Sequence, residues 1–174
     1  TLLVTEYPTV RWARELPDHP AIIVEHAAMT YRELDARVVS AASWLRALGV
    51  AAGDRVIICG SNSLAWVVAI HALARLSAVH VPIGSRILRA QAERYQHMYS
   101  PRLILTDQRS AQLWDNPLPV GDCLTDDAGP LECPLAAEID SESLHSIVQT
   151  SGSEGEPKGV CLSFRNHLSN ALGS

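Results

Sequence analysis

The chain has 174 residues, 47% of them hydrophobic, with a formal net charge of −5, enough apolar material to bury on the order of 70% of its unfolded surface in one domain. Its acidic balance and scattered basic residues exclude the electrostatic footprint of a nucleic-acid binder. No run approaches the ~20 apolar residues of a membrane helix, and Thr1-Leu2-Leu3-Val4 is too short for a signal peptide. The first residue is Thr rather than Met, which suggests a processed or trimmed chain. Cys59, Cys123, Cys133 and Cys161 show no C-x-x-C spacing, so neither a metal site nor a disulfide framework is expected and a reduced, cytoplasmic setting is the default.

In chain order, 10–16 reads as a short helix ended by Pro17, and 21–24 as a strand. Thr30-Tyr31-Arg32-Glu33 is a capping box. Leu34, Val38, Ala41, Leu45 and Leu48 follow it at helical spacing, and Gly49 stops the helix. The run 55–59 is a buried strand. Helix 64–76 is apolar nearly all round and should lie between other elements. Strand 79–82, helix 88–98 and strand 103–106 complete the alternation, which implies βαβ crossovers and an α/β fold with a mostly parallel sheet flanked by helices. From 108 to 143 the prolines, glycines and acidic residues read as surface loop with one edge strand at most, Asp126-Asp127 being a solvated pair. An amphipathic helix begins at Asn166, with Leu168, Ala171 and Leu172 apolar.

The segment that demands a chemical explanation is Thr150-Ser151-Gly152-Ser153-Glu154-Gly155-Glu156-Pro157-Lys158-Gly159, suspended between the apolar runs Ile147-Val148 and Val160-Cys161-Leu162 as if between two short buried strands. Glycines at 152, 155 and 159 permit φ > 0 and let main-chain N–H groups converge into an anion cradle. Hydroxyls at 150, 151 and 153 add donors, and Lys158 adds a point charge. A polyphosphate suits this set best. The bland alternative is a flexible Gly/Ser-rich loop. Strand-like flanks and a single Lys placed after the glycines weigh against it. Walker A spacing fails because Lys158 follows Pro157 and precedes Gly159, and no G-x-G-x-x-G is present.

The run IVQTSGSEGEPK over 147–158, continuing Gly159-Val160, resembles the phosphate-loop signature of the adenylate-forming superfamily of acyl-CoA synthetases, peptide-synthetase adenylation domains and luciferases. MTYRELDARV, LRALGVAAGDRV and AVHVPIGSR resemble the opening blocks of acyl-CoA synthetases, so the similarity covers most of 20–174. Two positions depart from the pattern. Glu154 stands where the family usually has Thr or Ser, and its carboxylate would repel phosphate. Ser77 stands where Gly is expected, a small residue that leaves packing unaffected.

The resemblance implies an N-terminal portion of a large adenylation domain, 1–174, with the phosphate loop at 150–159 and a C-terminal domain outside it. It implies ATP, Mg²⁺ and coenzyme A, and a two-step reaction in which a carboxylate attacks the α-phosphorus of ATP and a thiol then displaces AMP. The phosphate-binding residues it implies are Thr150, Ser151, Gly152, Ser153, Gly155 and Lys158, with Glu154 a weaker member. No catalytic residue and no metal ligand is expected within these residues, and the fragment alone is expected not to complete the reaction. The ending NHLSNALGS is similar to the segment after the loop in o-succinylbenzoate–CoA ligases of menaquinone biosynthesis, which makes that acid the favoured partner. Fatty and aryl acids stay open, as do homo-oligomerisation and a non-catalytic phosphate-binding module.

Ser151-Gly152-Ser153-Glu154-Gly155 comes within one residue of a G-x-S-x-G nucleophile elbow, with Ser153 as nucleophile and His145 or His167 as base. It lacks the first glycine and the helix that must follow. His71 and His80 sit in apolar segments and read as packed or hydrogen-bonded histidines rather than metal ligands. Trp12, Trp44, Trp66 and Trp114 read as packing residues.

Overall fold

The structure is a computed structural model that describes residues 4–24, 27–125, 135–150 and 158–173. In chain order the elements are β1 (Val4–Glu6), α1 (Pro8–Glu15), β2 (Pro20–Val24), β3 (Ala27–Thr30), α2 (Tyr31–Ala47), β4 (Arg55–Gly60), α3 (Leu64–Arg75), β5 (Val79–Gly84), α4 (Arg89–Tyr99), β6 (Leu103–Thr106), β7 (Leu118–Pro119), β8 (Glu138–Asp140), β9 (Leu144–Thr150), β10 (Lys158–Ser163) and α5 (Phe164–Leu172), with 3₁₀ turns at Ala111–Leu113 and Val120–Leu124. The main sheet has the order β10-β9-β5-β4-β6-β7. Its pairings β9–β5, β5–β4, β4–β6 and β6–β7 are parallel, and only β10 runs antiparallel, on β9. The expected α/β architecture, mostly parallel and flanked by helices, is what forms.

β4 shows why its sequence reads as an unbroken apolar run. Val56 and Ile58 point into one core with α2 and α3, while Ile57 and Cys59 point into another with α4. All four side chains have no solvent exposure. A parallel strand covered on both faces cannot alternate. Full burial of each such aliphatic side chain contributes about 1.5–3 kcal/mol. α3 is apolar on most sides because it is wedged between the sheet and α2, burying Ala65, Val68, Ala69, Ala72, Leu73 and Ala74. α2 starts at the expected capping box: Thr30 Oγ1 accepts from the Glu33 N–H at 3.3 Å, and Glu33 Oε2 accepts from the Thr30 N–H at 2.8 Å. Gly49 follows its C-terminus at φ +84°, the left-handed conformation a glycine adopts without strain.

Several expectations need correction. Pro8 opens α1 at its first turn, two residues earlier than the pattern suggests, because proline is preorganised for that position. The strands β3 and β1 were not legible. β3 makes a hairpin with β2, and β1 pairs antiparallel with β8. Two strands, β7 and β8, occupy the stretch read as loop with one edge strand. α5 begins at Phe164 rather than Asn166, because Ser163 caps it by accepting from the Asn166 N–H. Ser77 is more than a packing substitution. It stands at φ +55°, the left-handed region, which is a backbone reason for a glycine there. Cys59 and Cys123 are buried and Cys161 exposed, all as free thiols. Cys133 and Asp126-Asp127 lie outside the described residues. The tryptophans pack as expected: Trp114 is buried in the α4-side core, Trp44 and Trp66 lie against the core on the other face, and Trp12 lies beside Tyr31.

Candidate functional site

β9 and β10 form an antiparallel hairpin in which Thr150 faces Lys158, Gln149 faces Gly159, and Ile147 faces Cys161. Thr150 Oγ1 donates to the Lys158 carbonyl at 3.3 Å. The two ends of the candidate phosphate loop are therefore held side by side. Ser151, Gly152, Ser153, Glu154 and Gly155 lie outside the described residues. The hairpin sits where ligands bind in this class of sheet. Ser146 pairs with His80 in the parallel register, and four residues further on Thr150 and Gly84 end their strands together. The carboxyl ends of parallel strands are the ligand-binding edge of open α/β sheets.

Two sequence readings of the hairpin change. β9 is largely buried, but among the described residues β10 is an edge strand with one neighbour, and Lys158, Gly159, Val160 and Cys161 are exposed. Gly159 is needed for close approach rather than for positive φ. A Cβ there would lie 2.7 Å from Tyr99 Oη and 2.8 Å from Ile147 Cγ2.

At the other end of β9 the structure assembles a group that no sequence period connects. Between Leu162 and Ser163 the hairpin register slips, so that His145 is the extra residue of a β-bulge. Bulges re-aim side chains. This one sends His145 to the face that carries His80, with ring centroids 4.9 Å apart, and His167 of α5 packs 4.9 Å from His145 and 6.2 Å from His80. His167 Nε2 is 2.7 Å from Ser146 Oγ, and His71 Nδ1 is 2.7 Å from Tyr7 Oη. These four histidines, with Tyr7, Ile70, Phe164 and Leu168, line a cleft of about 430 Å³. Burial holds His71 down at about 4. Burial, with the neighbouring His145 and His167, holds His80 at about 3. Burial also lowers His145 to about 4 and depresses His167. His71 is hydrogen-bonded to Tyr7, whereas His80 is packed with its Nδ1 buried and unpartnered among the described residues; among the described residues no group of three His, Cys, Asp or Glu is placed to hold a metal ion. Ser153, the nucleophile of the elbow reading, lies outside the described residues. His167 is bonded to Ser146, and His145 lies five residues, about 16 Å of strand, from Thr150.

A family model covers most of the chain. The model of AMP-binding enzymes matches residues 9–174. The chain belongs to that family. A 2-succinylbenzoate–CoA ligase of Bacillus cereus is 32% identical over 159 residues, covering 91% of this chain and 32% of that protein. The chain thus spans about a third of the length of the curated relatives it matches. Among solved structures, o-succinylbenzoate coenzyme A synthetase from Bacillus subtilis in complex with AMP matches with a TM-score of 0.86 at 24% identity, over 97% of this chain and 45% of that one. The same protein in complex with ATP and magnesium ion gives 0.85 at 23%, over 97% and 46%. The inhibitor-bound N-terminal domain of FACL13 from Mycobacterium tuberculosis gives 0.72 at 25%, over 90% and 43%.

Proposed function

We propose that the whole protein is an ATP-dependent acid–thiol ligase that converts a carboxylic acid to its acyl-adenylate and then to a coenzyme A thioester, with o-succinylbenzoate as the acid. The observation that carries the reading is the β9–β10 hairpin, which presents Thr150 and Lys158 together at the carboxyl edge of the parallel sheet in a chain of the AMP-binding family. The choice of acid is supported by the 32% identity to a 2-succinylbenzoate–CoA ligase.

In this reading residues 150–158 grip the β and γ phosphates of the nucleotide. Thr150, Ser151 and Ser153 supply hydroxyl donors, Gly152 and Gly155 leave main-chain N–H groups free to converge, and Lys158 supplies positive charge. Donors fixed in advance around a leaving pyrophosphate favour in-line attack by the acid, because they meet the charge that develops without reorganising. Glu154 opposes this locally. Magnesium bound to the nucleotide would offset part of the negative charge on the same phosphates. The 174-residue chain alone is expected not to turn over, since this reading gives it only the phosphate end of the reaction.

The test is acid-dependent ATP–pyrophosphate exchange by the full-length protein, offered o-succinylbenzoate beside fatty and aryl acids. Exchange dependent on o-succinylbenzoate supports the reading, and absence of exchange with every acid overturns it. Replacing Lys158 by Ala removes one charge-assisted contact worth roughly 1.5–3 kcal/mol, so kcat/KM for ATP should fall by about 10- to 100-fold.

A further inference from the structure

We propose that Tyr99 and Gln149 are positioning residues for the phosphate loop: their hydrogen bond, closed over Gly159, sets where Thr150 and Lys158 stand. The inference rests on the reading of 150–158 as that loop.

Tyr99 is the last residue of α4 and is buried. It is tied to three elements at once. Its carbonyl accepts from Arg55 Nε at the start of β4, its ring stacks on Tyr95 within α4, and its hydroxyl donates to Gln149 Oε1 of β9 at 2.6 Å. Gln149 and Gly159 are a cross-strand pair, and the next pair along is Thr150 and Lys158. The hydroxyl therefore acts one residue from both ends of the loop. Gly159 makes the contact fit, since any Cβ at that position would collide with the Tyr99 hydroxyl at 2.7 Å. Among the described residues β10 pairs with β9 alone, and its first four residues are exposed.

The hydrogen-bond accounting points the same way. Gln149 Nε2 is buried and has no partner among the described residues. An unsatisfied buried donor is costly, whereas replacing both partners of a buried hydrogen bond by apolar groups of similar shape is close to neutral. A packing role alone would be served as well by apolar residues at 99 and 149. The retained polar pair is accounted for by a directional contact, which fixes the β9 end against α4 in a way that packing does not.

The experiment compares the full-length protein with Tyr99→Phe, Gln149→Leu and the double variant, in which no buried partner is stranded and thermal stability should match the unmodified protein. Amide hydrogen exchange at Gln149, Thr150, Lys158, Gly159 and Val160 should quicken by roughly five- to tenfold in Tyr99→Phe and stay fast in the double variant, while amides of β4 and β5 keep their rates. In acid-dependent pyrophosphate exchange the KM for ATP should rise by a similar factor and the KM for the acid should not move. Unchanged exchange at the hairpin end, recovery of the original rates in the double variant, or a KM for ATP that stays put while the amides loosen would each overturn the proposal. If the unmodified protein shows no exchange reaction with any acid, the ligase reading falls. The amide rates still decide whether Tyr99 and Gln149 hold the hairpin ends.

Discussion

Acidification should destabilise this domain through its histidines, beginning above the pH at which carboxylates usually give way. His71, His80 and His145 are held neutral in the fold, titrating near 4, 3 and 4, whereas an unfolded chain protonates them near 6.5. The folded values are depressed, so the unfolded state binds protons first. Stability is complete above about pH 6.5 and is lost as pH falls toward 4. Each buried histidine contributes up to about 1.4 kcal/mol per pH unit, so three give an upper bound of about 4 kcal/mol per unit near pH 5. Summed from pH 6.5, the loss is up to about 6 kcal/mol by pH 5 and about 9 kcal/mol by pH 4, which unfolds the domain by pH 4 if its stability lies in the lower half of the typical range of roughly 5–15 kcal/mol. The charged groups nearby do not confuse the window. Arg75, which faces Tyr7, is paired with Asp35 at 3.0 Å. The carboxylates of Glu33, held down by the Thr30 N–H and hydroxyl, and of Asp107, held down by hydrogen bonds from Ser61 and Ser110 despite its burial, lose their contribution only at still lower pH. Urea unfolding followed by circular dichroism at half-unit steps from pH 7.5 to 4.5 reads the slope directly. Uptake of at least two protons between pH 6 and 5 is expected, falling by about one when His80 is replaced by Gln. A slope below one proton, or one that the His80→Gln variant leaves unchanged, would refute the reasoning.

Gly159→Ala should cost about 1–3 kcal/mol by overpacking, because its Cβ meets Tyr99 Oη and Ile147 Cγ2 within 2.8 Å; thermal denaturation checks it, and an unshifted Tm would mean the hairpin end yields freely. Ser77→Gly should stabilise by about 0.5–1 kcal/mol by removing a side chain from φ +55°, visible as a raised urea midpoint at unchanged slope. Lys158→Ala should leave Tm within a degree or two, because Lys158 is exposed, while lowering kcat/KM for ATP.

What could be read ahead of the structure was local. The Thr30–Glu33 box, the double-sided run 56–59 and the all-round apolar α3 each declare their environment within one or two turns of chain, and all three formed as read. β1 and β8 escaped because each has only three residues and is a strand by virtue of a partner at the far end of the described chain. The histidine cluster escaped for the same reason, compounded by a bulge that no residue type announces: alternation from Ile147 would put His145 on the α4 face, and the extra residue turns it over. At the candidate site the motif was visible, but the reason for Gly159 was not, since it depends on a tyrosine sixty positions earlier in the chain.

The pairing of Thr150 with Lys158 separates what can vary in length from what cannot. A residue gained or lost between them leaves every cross-strand partner of the hairpin where it was. A residue lost just beyond Lys158 would shift β10 by one, and because side chains alternate with a period of two, Val160 would be driven against the Tyr99 hydroxyl and Cys161 would change faces. The fold of the hairpin should therefore be hurt far less by a residue added or removed between Thr150 and Lys158 than by one removed just after this lysine.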